Sequence, residues 1–154
     1  MDDRPALLVS ACLLGVECNH EGRASPRPAV AALAGTYRLV PVCPEVLGGL
    51  PTPRAPSELQ DGDGAEVLAG RARVTSADGA DVTGAYVRGA RAAVELARAT
   101  GAPRAVLKAR SPSCGSAQVF DGTFSRRLVP GEGVTAAALR AAGVEVGSDE
   151  DEPG

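Results

Sequence analysis

Three cysteines, Cys12, Cys43 and Cys114, are the residues of this chain best equipped for chemistry, because a thiolate is both a nucleophile and a soft metal ligand. Each stands among neighbours that favour a loop with free backbone amides: Ala11-Cys12-Leu13-Leu14-Gly15, Cys43-Pro44-Glu45, and Ser113-Cys114-Gly115-Ser116. Such amides stabilise a thiolate. Soft thiolates select zinc or an iron–sulfur cluster. Structural zinc takes four closed ligands, commonly in Cys-x-x-Cys pairs, and the sequence contains no such pair. A 4Fe-4S cluster on three cysteine ligands leaves one iron open as a Lewis acid, with sulfur as its preferred donor. Cys18 is read as a non-ligand.

Other chemistries use the same residues. The cysteines serve equally as small buried hydrophobes. A zinc site can recruit Cys18 or His20 as its fourth ligand. Cys114 at a loop tip can be a nucleophile, although no histidine stands behind it as a convincing partner.

The segments before the three cysteines decide whether they meet. Residues 6–11 (ALLVSA) are an apolar run too short for a helix, as expected of a parallel strand buried on both faces, and the run ends at Cys12. Residues 37–42 (YRLVPV) read as a second strand ending at Cys43, and residues 104–108 (RAVLK) as a third, followed by the loop that holds Cys114. Helical patterns separate them. Residues 26–34 read as a short helix, residues 81–101 as the best helix, from the N-cap Asp81 to the stop Gly101, and residues 134–142 as a last helix before a short strand at 144–146. Alternating strands and helices imply an α/β fold: one domain, 1–147, with a mostly parallel, open, Rossmann-like sheet flanked by helices. Ligands of such sheets sit beyond the carboxyl ends of the strands, where all three cysteines lie.

Three stretches read otherwise. The proline- and glycine-rich residues 44–56 are expected to be a loop without regular structure. Residues 66–75, with a turn at Ala77-Asp78-Gly79, suggest a hairpin or paired edge strands. The acidic residues 148–154 (SDEDEPG) read as a disordered tail.

Composition narrows the partners. The 154 residues are 44% hydrophobic with a formal net charge of −3, two Phe, two Tyr and no Trp, which argues against base-stacking platforms and against a nucleic-acid polymer as partner. No membrane span or signal peptide is read, so four cysteines without an export signal point to the cytoplasm and to thiols rather than disulfides. Lys108 is the single lysine among 16 basic residues.

Three motifs together resemble the DUF523 family: Ser10-Ala11-Cys12-Leu13-Leu14-Gly15, Val42-Cys43-Pro44-Glu45-Val46-Leu47-Gly48-Gly49-Leu50, and Arg110-Ser111-Pro112-Ser113-Cys114-Gly115. The resemblance continues through Pro51-Thr52-Pro53-Arg54, Asp81-Val82-Thr83, Phe120 with Asp121-Gly122-Thr123-Phe124-Ser125, and Gly133-Val134-Thr135-Ala136-Ala137. It departs after Cys18, where Asn19-His20-Glu21-Gly22 replaces the family's aromatic-Asp-Gly segment. The family includes the thiouracil desulfidases.

The resemblance implies a 4Fe-4S cluster on Cys12, Cys43 and Cys114, with catalytic help from Glu45 and the Ser111/Ser113 pair. The activity it implies is a non-redox desulfidation, in which water converts the C=S of a small sulfur-containing molecule to C=O with release of hydrosulfide. Glu45 would relay the proton, and a serine would orient the water or the substrate. Lys108 and Arg54 are the candidate substrate-binding cations, Lys108 also balancing cluster charge. The alternative class is a non-enzymatic iron–sulfur or zinc protein.

Overall fold

The computed structural model describes residues 2–151. Strand β1 (Ala6–Ser10) is buried at all five positions. Leu7, Leu8 and Val9 have no exposed surface, and each stabilises the fold by roughly 1.5–3 kcal/mol over its exposed state. A strand so apolar needs cover on both faces, and the sequence supplies it in turn. After a 3-10 turn (Ala11–Leu14) come helix α1 (Pro28–Ala31), strand β2 (Arg38–Val42) and a single helical turn, α2 (Pro44–Leu47). Strand β3 (Ser57–Gln60), helix α3 (Gly64–Leu68) and strand β4 (Arg73–Ser76) precede the long helix α4 (Thr83–Thr100). Strands β5 (Arg104–Leu107), β6 (Gln118–Phe120) and β7 (Leu128–Pro130), helix α5 (Val134–Ala141) and strand β8 (Glu145–Ser148) complete the order.

The central sheet runs β2-β1-β5-β8, and every pair in it is parallel. Helix α1 covers the face of Leu7, Val9 and Val106, while α4 and α5 cover the face of Ala6, Leu8, Ala105 and Leu107. The chain leaves β1 toward β2 and returns past it to β5, so the direction of winding reverses between β1 and β5. Open parallel sheets bind ligands in the crevice above such a reversal. Register brings the strand ends level there: Ser10 pairs with Val42, and Val9 with Val106.

Helix α4 ends as its sequence predicts, at Gly101 with φ 68°, where the glycine amide closes onto Ala97 and Arg98. At its start Asp81 accepts the Thr83 amide at 2.9 Å. Two glycines let α2 lie against α4: a Cβ on Gly89 would stand 2.0 Å from the Pro44 carbonyl oxygen, and one on Gly48 would stand 1.9 Å from that of Ala85.

Three expectations need correction. Residues 44–56 are not wholly irregular, because Pro44 opens α2 at the first helical position, where its missing N–H costs no hydrogen bond. Residues 66–75 do not form a hairpin with each other: Glu66 lies in α3, and β4 pairs antiparallel with the upstream β3. Tertiary packing overrides local preference here, since Val67 is buried with Leu59, Val74 and Val134. The turn at Ala77-Asp78-Gly79 does form, returning Asp81 to bridge Thr75. The acidic tail begins in ordered structure. Ser148 closes β8, Asp149–Asp151 make a 3-10 turn, and buried Asp149 accepts the Ala109 amide at 2.8 Å. Residues 152–154, the rest of that expected tail, lie outside the described residues.

Candidate active site

A cavity of about 630 Å³ opens above the carboxyl ends of β1, β2 and β5, and Cys12, Cys43 and Cys114 all line it. Cys12 is reached from β1 through the 3-10 turn, Cys43 is the residue before α2, and Cys114 lies in the loop beyond β5. The strand-end convergence expected from sequence is therefore present. Cys18 lines the same cavity, and its carbonyl accepts a hydrogen bond from Cys43 Sγ at 3.7 Å. All four thiols are free.

Glu45 projects from the first turn of α2 with both carboxylate oxygens engaged. Arg54 Nε donates to Oε1 at 3.0 Å, and the Ser113 hydroxyl donates to Oε2 at 3.1 Å. The side chains of Arg54 and Glu45 are only 7% and 15% exposed, so solvent screens the ion pair weakly. Tyr86, buried on α4, lines the same cavity beside Glu45 and Ser57. Burial first, and the facing Glu45 charge second, push its phenol far above the usual range.

Hydrogen-bond polarity around the serines can be read from their backbone partners. The amides of Ser113 and Cys114 both donate to Ser111 Oγ, at 3.1 and 3.0 Å. That oxygen is saturated as an acceptor, so its own proton points to Ser113 Oγ, 3.0 Å away. Ser113 in turn donates to Glu45. The result is a directed chain from backbone amides through Ser111 and Ser113 to the carboxylate.

Arg54, expected to meet a ligand, uses its guanidinium within the protein. Besides Glu45, it donates to the Pro51 carbonyl at 3.2 Å, Thr52 Oγ1 at 3.1 Å and the Cys18 carbonyl at 2.9 Å, engaging all three nitrogens. Lys108 differs. It lines the cavity, and its ammonium has no hydrogen-bond or ion-pair partner among the described residues. Its charge reaches Cys12, partly offsetting the burial that pushes that thiol up to about 11. Burial likewise raises Cys114, to about 12. His20 sits at the rim, 3.9 Å from Glu21.

The outer wall carries Phe120, Phe124 and Arg126, so both phenylalanines of the chain face this one cavity. Buried Glu58 fixes the wall by accepting the amides of Gly122 and Phe124 at 2.9 and 3.1 Å. Sequence reasoning missed Tyr86 and Ser10 as residues of this cavity. Ser10 stood in the sequence only as part of the motif around Cys12, with no local sign of its contact to Cys114.

The donor set fits an iron–sulfur cluster. Three thiols at separate strand ends line one roomy cavity together with Lys108, and thiolates are the usual ligands of such a cluster.

Comparison with known proteins agrees with this architecture. A curated relative, the uncharacterized protein YbbK of Bacillus subtilis (strain 168), is 43% identical over 143 residues, covering 93% of this chain and 95% of its own. A solved structure, the 4Fe-4S-dependent thiouracil desulfidase TudS, superposes with a TM-score of 0.84 at 39% identity, over 96% of this chain and 93% of that one. The profile of the 2-thiouracil desulfurase family matches residues 7–151, and this α/β chain belongs to that family.

Proposed function

We propose that the protein is an iron–sulfur-dependent desulfidase acting on a small thiocarbonyl compound such as a thiolated nucleobase. In the balanced reaction one thiocarbonyl and one water give one carbonyl and one hydrogen sulfide, with no net electron transfer. The observation that carries this reading is the Glu45 carboxylate, pinned by Arg54 and Ser113 in the same cavity as three cysteine thiols.

Cys12, Cys43 and Cys114 are the ligands, and Cys18 is a neighbour of Cys43 outside the ligand set. A 4Fe-4S cluster held this way supplies, when bound, an open iron that polarises a thiocarbonyl through its sulfur. The chain's own groups handle the proton. Glu45 takes it from water as the oxygen adds to carbon, and returns it to the departing sulfur; positioned general bases of this kind contribute about 10²–10⁴-fold. Ser113 keeps the carboxylate aimed, and Ser111 keeps Ser113 oriented. Lys108 balances negative charge in the cavity and is a cation free to meet substrate, whereas Arg54 is occupied.

A small-molecule partner follows from a bounded cavity and a net charge of −3, and a nucleic-acid polymer does not. Four free thiols suit a reducing cytoplasm. No helix among the described residues is long and apolar enough to cross a membrane.

The test is turnover. Protein reconstituted with iron and sulfide under anaerobic conditions is mixed with 2-thiouracil, and uracil and hydrosulfide are quantified. Equimolar release of both supports the reading. Cluster-loaded protein that yields neither moves the function to a non-enzymatic iron–sulfur protein.

A further inference from the structure

We infer that Ser10, the last residue of β1, is a positioning residue that donates its hydroxyl hydrogen bond to the sulfur of Cys114 and so tunes that ligand. The inference rests on the cluster reading above and deepens it.

Ser10 is 3% exposed in an otherwise apolar strand, and a buried hydroxyl there needs partners. It has two. The Lys108 amide donates to Ser10 Oγ at 2.9 Å, and Ser10 Oγ donates to Cys114 Sγ at 3.4 Å. No other acceptor for the Ser10 proton is present among the described residues. Because the oxygen is engaged by an amide, the hydroxyl rotor is turned toward sulfur.

Ser113 Oγ also approaches Cys114 Sγ, at 3.5 Å, but it has one proton and a better acceptor. Its hydroxyl receives from Ser111 and gives to the Glu45 carboxylate at 3.1 Å, and a charged oxygen outcompetes sulfur for that proton. Two serines therefore divide the work by proton count: Ser113 serves Glu45, and Ser10 serves Cys114. The bond also ties β1 to the loop after β5, across the crevice where the winding reverses. Hydrogen bonds to ligand sulfurs withdraw electron density and raise cluster potentials, and partners one step behind the ligands commonly set metal retention.

The test uses the cluster-loaded full chain and reads two quantities besides activity: the reduction potential of the cluster, and the rate of iron release to a ferrous chelator. Ser10→Ala is expected to shift the potential negative and to release iron about tenfold faster. Ser10→Thr, which retains the hydroxyl, is expected to keep wild-type values, and Ser113→Ala to leave the potential in place. Wild-type values in Ser10→Ala, a Ser10→Thr variant that behaves like Ser10→Ala, or a potential shift produced by Ser113→Ala overturns the assignment alone. A wild-type chain that takes up no iron overturns it together with the cluster reading.

Discussion

Arg54 Nε stands 3.0 Å from Glu45 Oε1 in a nearly dry pocket, and the same guanidinium holds the carbonyls of Pro51 and Cys18. One side chain thus fixes the carboxylate, the proline-rich loop and the segment that carries Cys18. Arginine can do this because its planar fork presents donors in several directions at once, which a lysine ammonium cannot reproduce.

Removing Arg54 leaves Glu45 charged and poorly solvated. Arg54→Ala should destabilise the protein by about 3 kcal/mol, as expected when one partner of a buried pair is lost. The double variant Arg54→Met/Glu45→Gln should regain more than half of that loss, because no orphaned charge remains. Urea denaturation of both variants checks this. Equal destabilisation of the single and double variants would show that Arg54 acts through the loop carbonyls and not through the ion pair.

Glu45→Gln removes the proposed base but preserves the shape of the side chain. It should lower kcat by about 10²-fold or more with iron content unchanged. Ser113→Ala should produce a smaller loss, and the double variant should fall little below Glu45→Gln, since the two residues act as one unit. Single-turnover rates on samples normalised for iron provide the measurement.

The glycine contact between α2 and α4 positions Glu45 from below. Gly89→Ala places a methyl 2.0 Å from the Pro44 carbonyl oxygen, a rigid backbone atom, so α2 must move. A stability loss of about 1–3 kcal/mol is expected, together with a drop in kcat. Gly101→Ala at the far end of α4 is the control: a Cβ there meets nothing within 4 Å, and the cost is confined to the strain of φ 68°. Its kcat should be unchanged.

How much of this was legible in the sequence depended on how local each cause was. Buried strands and capped helices declare themselves in short windows, and so β1, β2, β5 and α4 appeared with their cysteines at the strand ends. The roles proposed for Glu45, Ser111 and Ser113 came from motif resemblance, not from periodicity. Contacts across the fold were invisible. Arg54 read as a ligand-facing cation because sequence cannot show a guanidinium engaged on three sides. Tyr86, buried on α4, gave no local sign that it lies beside Glu45. Strands β3, β6 and β7 are short, and β3 has partners distant in sequence, such as Gly122 against Leu59 and Gln60.

The metal-free protein should lose stability in alkali. Burial first of all pushes the Cys12 thiol up to about 11, and those of Cys18 and Cys114 up to about 12. The folded chain then keeps protons that the unfolded chain releases from about pH 9 upward. Their contribution is complete below pH 9 and declines as pH rises through the folded values. Urea titrations from about pH 8 to about pH 11 should show this decline, and Cys12→Ala and Cys114→Ala should flatten it. Iron binding displaces the protons of Cys12 and Cys114, so apparent affinity should rise with pH over this range.

The most direct test of the cluster assignment is the iron and acid-labile sulfide content of anaerobically reconstituted protein, with its visible spectrum, for wild type and for the alanine variants of Cys12, Cys43, Cys114 and Cys18. About four irons per chain are expected in wild type and in Cys18→Ala, with loss of the cluster in each of the other three. Full iron content in any of Cys12→Ala, Cys43→Ala or Cys114→Ala, or stoichiometric zinc with no iron in wild type, would contradict it.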